Sequence, residues 1–175
     1  MTDIKELLMK LVRLPGLSGY EEPAREVIRD AWQPLVDEIK VSPIGSLHAL
    51  KRGSGKEPRP SILLAAHMDA IGLMVTGIQD GLLRFTEVGG VDPRILPGLR
   101  VNIHAKRDLP GVVVQPPDYL LEPSQRGKSV EMDYLFIDTG LEADDINKLV
   151  KVGDLVSFAQ EPIELSGKTV VAHTL

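Results

Sequence analysis

His67-Met68-Asp69 is the one segment of the 175-residue sequence in which residue type, spacing and position all point to a reacting site. An imidazole and a carboxylate two residues apart on a strand project from the same side, so they can meet. In a metal site the carboxylate holds the imidazole through one ring nitrogen, fixes its tautomer and raises its basicity toward the ion. A His-x-Asp pair standing alone is more often a hydrogen-bonded histidine at a strand end, so its surroundings carry the case for chemistry. Met68 projects to the opposite face and reads as core packing. The chain has no cysteine. Any metal must therefore be held by His, Asp or Glu, and disulfides and thiolate sites are excluded.

The elements that position this pair can be read from periodicity. Ile4, Leu7, Leu8 and Leu11 follow Asp3 and Glu6 at helical steps, which predicts a first helix over about residues 3 to 13, stopped by Pro15 and Gly16. Ser18-Gly-Tyr-Glu21 has the spacing of a second capping box, and Ala24, Val27, Ile28, Ala31 and Trp32 give the apolar face of a helix ending near Pro34. Ile39 and Val41 then alternate with charged neighbours, Gly45 marks a turn, and Leu47 to Lys51 reads as the returning strand of a hairpin. After a polar loop, Ser61 to Ala66 is an unbroken apolar run, predicted to be a strand buried on both faces that delivers His67 and Asp69 at its C-terminal end. That end is where α/β sheets usually bind ligands.

Beyond Ile71 the texture changes to short alternating runs cut by Gly and Pro: 72–78, 82–88, 99–103, 111–114, 134–138 and 154–158, with one helix near 142–149. This spacing predicts a small β-barrel or sandwich with its own core. Thr169 to His173 returns to the texture of the 61–66 run. The expected organisation is an α/β domain over 1–69 and 166–175, interrupted by an inserted β domain over 70–165.

Twenty basic and 25 acidic residues give a net charge of −5 with no long run of either sign, which argues against a nucleic-acid or anionic-membrane partner. The N-terminus lacks the basic start and apolar block of a signal peptide, and no apolar run reaches the roughly 20 residues of a membrane span. A cytoplasmic location is the default expectation. Gly53-Ser-Gly-Lys56 is a polar loop rather than a phosphate loop, since Leu50 and Glu57 stand where a glycine and a hydroxyl belong. His48 and His104 fall on predicted strands and read as structural, while His173 falls near the expected site as a weaker alternative ligand.

In order and spacing, Leu17-Ser-Gly-Tyr-Glu21, Gly45-Ser-Leu47, Ala65-Ala-His-Met-Asp-Ala-Ile-Gly72, Val88-Gly-Gly90 and Gly153-Asp-Leu-Val156 resemble the two-metal aminopeptidases of the glutamyl, deblocking and tetrahedral family. The resemblance implies an incomplete α/β/α domain of the zinc-peptidase type, interrupted by a PDZ-like β-barrel dimerisation domain. It also implies a peptide substrate, homo-oligomers from dimers to hollow dodecamers, and two divalent ions, zinc or cobalt, in the complete enzyme. On this resemblance His67 is a metal ligand and Asp69 the catalytic aspartate that orients it. The family's remaining requirements are an Asp-Asp/Asn-Arg motif, a Glu-Glu pair supplying base and ligand, a further aspartate and a final histidine. All are expected beyond Leu175, so the isolated chain should hold no complete metal site and hydrolyse nothing. Two departures stand out: Ala70 replaces the usual glutamate after the His-Met-Asp string, and Asp118 replaces a histidine after Pro-Pro. The competing expectations are a non-catalytic assembly module, and one half of a split enzyme completed by another chain.

Overall fold

The computed structural model describes residues 3–124, 126–128, 131–167 and 169–173. The chain divides into two compact units, 1–70 and 71–175.

The first unit opens with helix α1 (Ile4–Leu11), capped by Asp3, whose carboxylate accepts from the Lys5 amide at 2.9 Å. Glu6 in its first turn and Lys10 in its last complement the helix dipole. Helix α2 (Glu22–Trp32) follows, with Pro23 pre-set for its first turn. The expected Ser18 capping box is not formed: Glu21 occupies the cap position without a side-chain bond, and its carboxylate accepts from the Gly19 amide at 2.5 Å. The proline fixes the helix start too late for Ser18 to reach its free amides. Strands β1 (Glu38–Val41) and β2 (Leu47–Leu50) form the predicted antiparallel hairpin. Its turn is closed by the Ser42 amide on the Ser46 carbonyl at 2.9 Å, with Gly45 at φ 89°.

The predicted buried strand at 61–66 is corrected. Residues 51–69 contain no strand, and Ile62, Leu63 and Leu64 are 89, 90 and 89% exposed. A strand exists only as its hydrogen-bond ladder, and no described strand pairs with this run. Composition can mark a segment as strand-prone, but it cannot supply the partner.

In the second unit six strands close into a barrel: β3 (Gly72–Gln79), β4 (Leu82–Val88), β5 (Arg100–His104), β6 (Asp108–Val114), β7 (Phe136–Asp138) and β8 (Leu155–Phe158), in the order β3-β4-β7-β6-β5-β8. Every pairing is antiparallel. Alternation decides the interior: Leu73, Val75, Leu83, Val101, Ile103, Val113, Ile137 and Val156 are all at most 1% exposed. Asp80 and Gly81, both with positive φ, make the tight β3–β4 turn, in which left-handed residues match the twist of the paired strands. Helix α3 (Ala143–Leu149) adds Ile146 to the same core. A final hairpin pairs β9 (Ile163–Leu165) with β10 (Thr169–Val171). Thr169 to Val171 are thus paired within the second unit, while Lys168, Thr174 and Leu175 lie outside the described residues. No described helix is long and apolar enough to cross a membrane.

Candidate functional site

The predicted pair is formed. His67 Nδ1 lies 3.0 Å from Asp69 Oδ1 and 3.2 Å from the Asp69 carbonyl oxygen. The two meet through a local contact between neighbouring residues rather than through strand alternation, because this segment has no regular structure. The His67 side chain is 85% exposed and that of Asp69 38%, so the far edge of the imidazole is open to an incoming group.

A third residue joins them, Ser18, whose spacing to Glu21 predicts a helix cap. Ser18 Oγ donates to Asp69 Oδ2 at 2.5 Å. The backbone brings it there: Leu17 forms a parallel bridge with Ala70, and the Ala70 amide donates to the Gly16 carbonyl at 2.6 Å. Leu17 itself is 1% exposed and anchors the loop between α1 and α2. The Ser18 hydroxyl lowers the Asp69 pKa below the ordinary carboxylate value, slight burial opposes it, and His67 lowers it further. The signal in the sequence is the Leu17-Ser-Gly-Tyr-Glu21 string, whose capping-box spacing points its serine toward α2 instead.

An ionised Asp69 accepts from both partners, so the proton it holds on His67 sits at Nδ1 and Nε2 keeps a lone pair. That is the arrangement of a metal-ligating histidine. As a donor set, the described residues supply one such imidazole; no group of three or more His, Cys, Asp or Glu side chains among them is arranged to hold an ion. The described residues therefore fit a metal as contributors of one ligand and not as a whole cradle.

The other histidines fall elsewhere. His48 is exposed on β2, opposite Lys40. His104 is hydrogen-bonded on both sides, Nε2 to Ser157 Oγ at 2.8 Å and Nδ1 to Asp108 Oδ1 at 3.0 Å, which ties β5 to β8 and β6 and accords with a structural role. His173 belongs to the second unit, where its ring packs edge-on against Phe158 at 6.2 Å. Burial pushes its pKa down, against a hydrogen bond with the Gln160 backbone that raises it. Ala70 contributes its backbone amide to the site's frame, and Asp118 begins an exposed single turn in the second unit.

Known proteins resemble this chain over nearly its whole length. The family model described as M42 glutamyl aminopeptidase matches residues 45–175. A lysyl aminopeptidase of Pyrococcus furiosus is 34% identical over 169 residues, covering 92% of this chain and 47% of that protein. Among solved structures, a TET aminopeptidase from the marine sediment archaeon Thaumarchaeota archaeon SCGC AB-539-E09 superposes with a TM-score of 0.85 at 30% identity, over 94% of this chain and 47% of that one. The Pyrococcus horikoshii TET1 peptidase, described as able to assemble into a tetrahedron or a large octahedral shell, gives 0.81 at 39% identity, over 98% and 51%. The chain spans about half the length of the curated relatives it matches.

Proposed function

Because the chain belongs to the M42 glutamyl aminopeptidase family, we propose that it is the N-terminal part of a metal-dependent aminopeptidase that removes N-terminal residues from peptides. The observation that carries this reading is the His67–Asp69 contact at 3.0 Å with the outer edge of the imidazole left open.

In this reading His67 offers Nε2 to one of two divalent ions, zinc or cobalt, and Asp69 is the catalytic aspartate that holds the imidazole for it. An ion held there would supply Lewis-acid chemistry toward a peptide carbonyl and a water. Asp69 does its work through His67: as a fixed anion on Nδ1–H it strengthens the donor at Nε2 and keeps the ring in one orientation. The proton acceptor and the other ligands come from elsewhere in the complete enzyme. Residues 1–69 and 166–175 are read as the part of a zinc-peptidase-like α/β/α domain that this chain contains, and 70–165 as its inserted, PDZ-like dimerisation barrel. Dimers and dodecamers of a cytoplasmic enzyme are the assembly expected, by analogy with the shells described for TET1.

The isolated chain is expected to show no turnover of aminoacyl p-nitroanilides with zinc or cobalt added, since a catalytic zinc typically needs about three protein ligands and the described residues offer one. Robust hydrolysis by the pure 175-residue protein would refute that assignment of ligands.

One feature favours a second reading, a non-catalytic assembly module or one half of a split enzyme. The barrel closes on a core of its own, independently of the pair at His67 and Asp69. The split-enzyme form is distinguished by activity that appears only when a second polypeptide is added.

A further inference from the structure

We infer that Ser18 is a positioning residue for this site: its hydroxyl, bonded to the second oxygen of Asp69, determines that His67 presents Nε2 rather than Nδ1 to an incoming ion. The use made of that open nitrogen rests on the peptidase reading, whereas the positioning itself does not.

An aspartate with one oxygen on a partner and the other in water can rotate about its two side-chain bonds. Here the segment leading into Asp69 belongs to no strand that could hold it. Ser18 Oγ at 2.5 Å fixes the oxygen that His67 leaves unused, so the carboxylate is held from both sides. The backbone beside this contact is fixed as well, by the Leu17–Ala70 bridge and by the Ala70 amide on the Gly16 carbonyl. Gly19, at φ 86°, turns the chain away directly after Ser18, and its amide is taken by Glu21, so the hydroxyl stays with Asp69 instead of joining α2. A non-glycine residue adopts that φ at a cost, which makes the turn part of the same device. An ionised carboxylate can only accept, so two donors must face it: the Ser18 hydroxyl and a proton on His67 Nδ1.

The test is a long-range proton–nitrogen correlation spectrum of the nitrogen-15-labelled chain at about pH 8, where an ordinary histidine is neutral. Wild type should show His67 in a single form, protonated at Nδ1. Ser18→Ala should lose that single-form pattern and move toward the mixture of a free imidazole, and Ser18→Thr, which keeps the hydroxyl, should restore it. An unchanged His67 pattern in a folded Ser18→Ala overturns the inference. If the alanine variant does not fold, a folded Ser18→Thr with a mixed pattern overturns it equally. Because no metal or substrate is present, a failed aminopeptidase assay leaves this readout untouched, and the two ideas fall separately.

Discussion

At the scale of single residues, His67, Asp69 and Ser18 form one hydrogen-bonded set in which the carboxylate is held on both of its oxygens. His67 and Asp69 were legible because their spacing and chemistry are local, and two residues apart they meet whether or not a strand forms. Ser18 was not, because its partner lies 51 positions away and its local spacing fitted another role. His173 gives a prediction at this scale. Its ring is half-buried, and Nδ1 has no hydrogen-bond partner among the described residues, so the fold favours the neutral form. The unfolded chain takes up a proton near the ordinary value of 6.5, while the folded chain does so only at lower pH. Stability from this group is therefore complete above that value and lost as pH falls through the depressed one. The urea midpoint should drop between about pH 7.5 and about pH 5.5, and His173→Leu should flatten that drop. Equal pH profiles for the two proteins would remove His173 from the account.

At the scale of elements, local pattern and tertiary partner contribute separately. The barrel strands were legible because most of them carry apolar residues at alternate positions and lie near Gly or Pro turns, which marks one face for a core; β8, buried at all four positions, is the exception. Closure is a different matter. Gly111 faces Ile137 and Ile103 across the interior, and a methyl group there would lie 2.7 Å from Ile137 Cγ2 and 2.9 Å from Ile103 Cδ1. Gly111→Ala should cost about 1–3 kcal/mol by overpacking, read as a lower urea midpoint with an unchanged slope. A variant as stable as wild type would mean that the barrel yields at this point. The 61–66 run shows the converse case, a segment with strand composition and no strand beside it.

On the scale of the whole molecule, the two units differ in how far their own residues satisfy them. Among the described residues, sixteen buried side chains of the second unit form one cluster, whereas the buried apolar side chains of the first unit are Val12, Leu17 and Ala24. Beside these few, Ile62, Leu63 and Leu64 stand almost fully in water. Contiguous exposed apolar surface with unpaired backbone invites association. The isolated chain should therefore self-associate at micromolar concentration, and Leu63→Lys should shift it toward monomer by light scattering. A monodisperse wild-type monomer would show that this run is tolerated in water.

What the sequence determined by itself is whatever rests on neighbours along the chain: helix faces and stops, the β1–β2 hairpin, the alternation of the barrel strands, and a His-x-Asp pair close enough to bond. The tertiary structure decided what depends on distant partners. It closed six strands into a barrel, left an apolar run without a ladder, and took Ser18 from a helix cap to a carboxylate. The physical reason is the same in each case: periodicity records which face a residue prefers, and only the folded chain determines which group is there to meet it.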